Sequence, residues 1–326
     1  MHPTCGFGLP IAGLDASFLP GTPPCTGSRL RVVPAASHLE TSRSQVRSAS
    51  TPSSGGGTAA GGGAGSQASG TSGRSAFATS ELDDLADSFS HDGFAILRDA
   101  ISSVELEAAE TELVDAQRRL TEGTLDRRHA TTVLDDPQAA LDGKPFAHYV
   151  CFATQASTAA AGLARDPVVV AVIHRLLGRK PWLLDDGQFG VVYQDARPGP
   201  GSGYSRIGWH TDHQSGPHLD MWPGVAFTVH FDATSPANGF LRVVPGSHLG
   251  TTDAIPPTFE RVPGEVAVYA ERGDVLFHHS DLWHAAARAT ADGPLAVRRH
   301  LRGSWHAGKR LRAGYGTDDF VKNAAR

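Results

Sequence analysis

The sequence predicts a mainly β domain, a sandwich or barrel with helices packed on its outside. Three observations carry this. From Trp182 onward the chain is cut into short apolar runs of strand length, such as Val225–Phe231 and Val275–His278. Gly- and Pro-rich turns separate them, Arg197–Ser205 and Asn238-Gly239 among them. Helical periodicity is confined to residues before Trp182. With 326 residues, 40% of them hydrophobic, 5 Trp and 14 Phe, the chain can bury a sizeable core in one large domain or two small ones.

Residues 1–78 differ from the rest. Pro and Gly punctuate the start, Ser and Arg dominate Ser28–Ser50, and Ser53–Gly73 is almost entirely Gly, Ser, Ala and Thr. Such a segment cannot bury enough apolar surface to offset chain entropy, so it is expected to be disordered and dispensable, with the folded domain spanning 79–326. The segment holds five arginines against two acids, so the domain carries net −8 of the total −5. Nothing in that balance asks for nucleic acid or an anionic membrane. No apolar run approaches the roughly 20 residues that span a bilayer. Cys5, Cys25 and Cys151 have no framework spacing and read as reduced thiols. The expectation is a cytoplasmic protein, monomer or homodimer.

The domain opens with Ser80 and Asp83 as an N-cap signature ahead of Leu82, Leu85 and Phe89 at helical spacing. Gly93 ends that helix, and Phe94–Leu97 reads as a strand. Ser102 with Glu105 forms a capping box that opens a long helix through Leu120, its acids early and Arg118 and Arg119 late, as the helix dipole favours. Gly143-Lys144-Pro145 marks a turn. Asp166-Pro167 starts an apolar helix that Gly178 closes. Strands are then expected at Gln188–Tyr193, Val225–Phe231, Phe240–Val244, Glu265–Tyr269, Val275–His278 and Leu295–Trp305. Alternation places Ala226, Thr228 and His230 on one face. Asn238-Gly239 reads as a hairpin turn with both central residues at positive φ.

The chemistry centres on Trp209-His210-Thr211-Asp212. On an extended chain His210 and Asp212 project to one face, presenting an imidazole and a carboxylate to one point. A second imidazole from a distant strand would complete a 2-His-1-carboxylate triad, which suits Fe(II) because it leaves coordination positions open. His284 is the candidate. Alone, an H-x-D pair is weak, since surface loops produce it often.

The order that follows is more specific: Asn238-Gly239-Phe240-Leu241, Val244-Pro245-Gly246-Ser247-His248, Gly273-Asp274, then Leu282-Trp283-His284 and Arg298. From Leu82 to Trp305 the chain resembles the phytanoyl-CoA dioxygenase family of Fe(II)- and 2-oxoglutarate-dependent oxygenases, whose pattern runs H-x-D, N-G-x-L, P-G-S-H, G-D and a distal His, with an Arg closing the set. The resemblance narrows the fold to a double-stranded β-helix, a jelly-roll relative. It implies His210, Asp212 and His284 as iron ligands, and Arg298 as the anchor for the far carboxylate of 2-oxoglutarate. Arg299 would point to the opposite face. It further implies Gln188 and Thr228 beside the cosubstrate, and His213, His218 and Trp222 near a small-molecule substrate. With O₂ as oxidant, a carboxylate at 212 implies oxygenation, as in a hydroxylase; desaturation, cyclisation or epimerisation use the same cofactors. Relatives often carry Ser and Asn shortly after the distal His, where this chain has Ala286 and Ala289. Two readings of other classes stand beside this one: a non-redox metal-binding jelly roll, which needs no Arg298, and a silent binding module.

Overall fold

The computed structural model describes residues 75–130, 146–178, 180–188, 190–196, 207–212, 224–250, 255 and 258–307, all in one compact unit. The chain opens with β1 (Ala76–Phe77), α1 (Leu82–Asp92), β2 (Phe94–Leu97) and α2 (Ser103–Thr121). Next come β3 (Tyr149–Val150), α3 (Ala153–Ala156), α4 (Thr158–Ala164), α5 (Pro167–Leu177) and β4 (Trp182–Leu183). The strand-rich half follows: β5 (Val191–Ala196), β6 (Ile207–His210), β7 (Gly224–His230), β8 (Leu241–Val243), β9 (Val266–Val268), β10 (Val275–His279), β11 (His284–Ala286) and β12 (Arg298–His306). Residues 1–74, the Gly143–Pro145 turn and the Arg197–Ser205 loop lie outside the described residues.

Two sheets face each other as a double-stranded β-helix. The large sheet runs β1-β2-β10-β7-β12-β5-β3, with β4 on β12; the small one runs β6-β11-β8-β9. Period-two alternation divides the large sheet into two environments. Its outer face packs Leu97, Val275, Phe277, Phe227, Val229 and Leu301 against helix residues such as Leu85, Leu106, Leu113 and Ile173. The inner face meets the small sheet, and at one end Phe94, Ile96 and Leu276 pack on Val243 and Val268. The rest of the inner face is polar, and there lies the site.

The helices form where their end signals place them. In α2, Ser102 accepts from the Glu105 amide while the Glu105 carboxylate accepts from the Ser102 amide, a reciprocal cap. Asp166 caps α5 by accepting from the amides of Val168 and Val169, with Pro167 in the first turn. For α1 the expected cap is wrong by one residue: Glu81, not Ser80, is the N-cap, and it makes no side-chain cap bond. The Asn238-Gly239 turn also differs, since Gly239 alone has positive φ, at 87°. Asn238 instead holds the turn with its side chain, Oδ1 accepting from the Ser235 amide at 2.8 Å.

The domain boundary moves as well. Phe77, expected in the dispensable segment, is 3% exposed within the main core, and the Arg98 amide donates to its carbonyl. A chain starting at Thr79 therefore loses a buried aromatic and an edge strand. Phe77→Ala is expected to cost about 3 kcal/mol of stability, visible in chemical denaturation, and the Thr79 truncation at least as much. A truncation at Thr79 as stable as one at Ser75 would contradict this.

Candidate active site

The metal-ligand candidates converge by register. β6 and β11 pair antiparallel with His210 directly opposite His284, and the two rings stand 4.1 Å apart between centroids. Trp209 secures β6, its indole N–H donating to the Glu260 carbonyl at 2.9 Å while the Arg242 guanidinium stacks on the ring. Asp212 follows two residues after His210, its amide donating to the Ser280 carbonyl at 3.0 Å. His210, Asp212 and His284 each offer one ligand atom, all within 4.8 Å of one another.

The tautomers suit a metal. His210 Nδ1 lies 2.8 Å from the Gly208 carbonyl, and His284 Nδ1 lies 2.9 Å from that of Leu282. A carbonyl can only accept, so each Nδ1 carries the hydrogen and each Nε2 keeps its lone pair for a ligand bond. Burial, with His284 alongside, pulls the pKa of His210 down to about 4, so the imidazole stays neutral. Burial opposes ionisation of Asp212, but His278 and His284 outweigh it and hold that carboxyl well below its ordinary value.

His278 was not anticipated. It lies on the inner face of β10, and its Nε2–H donates to Asp212 Oδ2 at 2.9 Å. The signal was available in the alternation of Val275–His278, which sets His278 opposite the apolar Phe277. Nothing in the sequence tied it to Asp212, however, because that contact spans two sheets.

Away from the triad, Arg298 opens β12 on the inner face. Its residue is 8% exposed, its Nε has no hydrogen-bond partner, and among the described residues no carboxylate pairs with it. Burial lowers its pKa. A buried guanidinium without a counter-ion is costly, so this one is built to receive an anion. Gly239 keeps the approach open: a Cβ there would come within 2.6 Å of the Ala287 carbonyl and 3.1 Å of an Arg298 Nη1. Asn238 fixes the start of β12, its amide donating to the Val297 carbonyl at 3.0 Å. Arg299 points the other way, its Nε and Nη2 meeting Asp232 at 2.9 and 2.7 Å and its Nη1 meeting Glu110.

The other motifs support rather than line the site. Ser247 accepts from the Trp283 amide at 2.9 Å and so holds the residue beside His284. Gly273 sits at φ 91° where a Cβ would press to 2.9 Å on the Ile101 carbonyl. Asp274 accepts from the amides of Asp99 and Glu271 and binds the Arg98 guanidinium, tying the large sheet to the helices.

Of the cosubstrate residues, Thr228 lies on the inner face of β7 beside His230. Gln188 does not reach the cavity. The strand expected from Gln188 begins at Val191, which leaves Gln188 exposed in a turn, its amide donating to the Ala130 carbonyl at 3.2 Å. His213, His218 and Trp222 lie outside the described residues. Ala286 shares the strand face of His284, so no hydroxyl stands there, and Arg288 is exposed.

The sequence matches the family model of phytanoyl-CoA dioxygenase (PhyH) over residues 89–299. The chain belongs to this family. It is a 2-oxoglutarate-dependent non-haem iron enzyme, and Fe(II) and 2-oxoglutarate are its cofactors. The donor set of this chain fits both groups: two imidazoles whose Nδ1 atoms are held by carbonyls, with a carboxylate, for the metal, and a buried guanidinium without a carboxylate partner among the described residues for the cosubstrate. Solved structures share the fold. The non-heme alpha-ketoglutarate-dependent epimerase SnoN from nogalamycin biosynthesis is 19% identical, with 74% of this chain and 95% of that one covered at a TM-score of 0.51. AviO1 from Streptomyces viridochromogenes Tue57 is 19% identical over 71% and 97%, at 0.54. EctD from S. alaskensis, solved with 2-oxoglutarate and 5-hydroxyectoine, is 22% identical over 69% and 75%, at 0.52. A comparison with curated proteins gives no match. Among the described residues no helix is long and apolar enough to cross a membrane.

Proposed function

We propose that this enzyme hydroxylates a small molecule of the secondary-metabolite kind in the cytoplasm, with His210, Asp212 and His284 holding Fe(II) and Arg298 anchoring 2-oxoglutarate. The observation that carries the reading is the pairing of three convergent donor atoms with a buried arginine that has no carboxylate partner among the described residues. Bound there, the iron and cosubstrate supply the oxidising chemistry, while the protein orients and excludes water. His278 holds the Asp212 carboxylate in one orientation, and the two backbone carbonyls hold the imidazoles. Thr228 and His230 line the inner wall between the triad and Arg298. Burial, with Arg298 nearby, pulls the His230 pKa down to about 4, so His230 stays neutral beside the guanidinium.

A second outcome of the same chemistry is favoured by the names of similar structures, which include an epimerase and a carbocyclase. Candidate metabolites incubated with enzyme, Fe(II), 2-oxoglutarate and O₂ distinguish these. Hydroxylation gives succinate and a product one oxygen heavier; cyclisation or desaturation removes two hydrogens; epimerisation leaves the mass unchanged. No succinate under any substrate would favour a non-redox jelly roll or a silent binding module.

A further inference from the structure

The inner face of β12 carries a second arginine. Arg302 lies four residues after Arg298, on the same face and about 13 Å further along the strand. Its register fixes that orientation. Arg302 pairs with Thr228, and Thr228 with Leu276, so the three form one row across β12, β7 and β10. Leu276 packs in the inner apolar cluster, which places the whole row inside.

Arg302 and Arg298 serve opposite ends of the cavity. Arg298 reaches Gly239 and the end of β11, away from the triad. Arg302 lies one inner-face row from His278: Arg302 pairs with Thr228, while Ser304, two residues on, pairs with Ala226, and Ala226 pairs with His278. Among the described residues no carboxylate forms an ion pair with Arg302. Asp212 is already committed to His278 and the metal position.

Charge decides what is missing. This inference rests on the cofactor reading above. Fe(II) brings two positive charges and the arginines two more; Asp212 contributes one negative charge and 2-oxoglutarate two. One positive charge remains, at Arg302, beside the metal rather than at the cosubstrate's far end. A half-buried guanidinium on the cavity wall favours a counter-ion that can meet its planar fork with two hydrogen bonds.

We propose that Arg302 binds a carboxylate-like anion on the substrate, so that this oxygenase acts on an anionic small molecule oriented through that group. A neutral substrate would leave that charge uncompensated in the cavity. Arg302 is thus a specificity residue, distinct in role from Arg298.

Trifluoroacetate is a small probe for this position. Wild type, Arg302→Gln and Arg298→Gln are loaded with Zn(II) in place of iron and with saturating 2-oxoglutarate, and the fluorine line width of the probe is followed by NMR. Wild type is expected to bind trifluoroacetate with 2-oxoglutarate in place and to ignore neutral trifluoroacetamide. Arg302→Gln is expected to weaken probe binding about 10-fold, while the 2-oxoglutarate Kd changes far less than in Arg298→Gln. Unchanged probe binding in Arg302→Gln, with 2-oxoglutarate still anchored by Arg298, overturns the proposal and leaves the cosubstrate reading standing. A 2-oxoglutarate Kd raised more by Arg302→Gln than by Arg298→Gln also overturns it, by making Arg302 the cosubstrate anchor. Failure of wild type to bind 2-oxoglutarate overturns both. If Arg302→Gln does not fold, a crystal of the wild-type Zn(II)–2-oxoglutarate complex soaked with trifluoroacetate decides: the anion is expected on the Arg302 guanidinium, and an anion bound only elsewhere rejects the assignment.

Discussion

Alanine at His210 or at His284 is expected to abolish iron-dependent turnover of 2-oxoglutarate and to lower metal affinity at least about 100-fold, beyond what loss of a mere supporting contact does. The fold should survive. Each imidazole faces the cavity and bonds a carbonyl two residues earlier, Gly208 for His210 and Leu282 for His284, and the further contact of His284 Nε2 with Asp212, at 3.5 Å, lies within the site itself. The strands are held independently: Trp209 and Arg242 brace β6, and Val243 pairs opposite His284 on β8. Circular dichroism of the apo variants should match wild type, while Co(II) titration separates them. Asp212→Gly should also stop turnover of 2-oxoglutarate, and it additionally leaves His278 without its carboxylate. Full turnover in either histidine variant would mean that the ligands have been misassigned.

How much of this was legible depended on the range of the interaction. The cap of α2 at Ser102, the cap of α5 at Asp166 and the inward alternation of Thr228 and His230 are local, and they read directly from the residues. Motif order carried the family and named the three donors that the structure brings together, because H-x-D and the distal His keep their sequence whatever the loops do. Misreadings arose where a neighbouring element decides. Gln188 was drawn into a strand by the apolar run behind it, yet pairing with β12 starts only at Val191. Phe77 was given to the low-complexity segment because two residues cannot signal a strand; its burial comes from β2 and the helices. His278 and Arg302 were missed for the same reason. A polar residue on a strand looks like surface until the opposing sheet is known, and here both polar rows face inward.

The adjacent arginines of β12 give the sharpest test of register. Removing a charge-assisted contact from a buried carboxylate costs roughly 2–5 kcal/mol, on the order of 30- to 4,000-fold in affinity. Arg298→Ala should raise the 2-oxoglutarate Kd within that range, because its guanidinium is buried in the cavity with no other anion among the described residues. Arg299→Ala should change it by less than about 5-fold, since that side chain is spent outside the barrel on Asp232 and Glu110. The second variant should lose stability instead, as Asp232 is left without its two-point partner. Lysine at 298 should restore only part of the affinity, because an ammonium supplies the charge without the planar fork. Titration of 2-oxoglutarate into the Fe(II)-loaded variants, followed by the charge-transfer band, measures all three. Equal and small effects at both positions would remove the cosubstrate from this end of the barrel. A larger effect at Arg299 would require β12 to slip by one residue, turning Leu301 out of the core and every inner-face side chain with it.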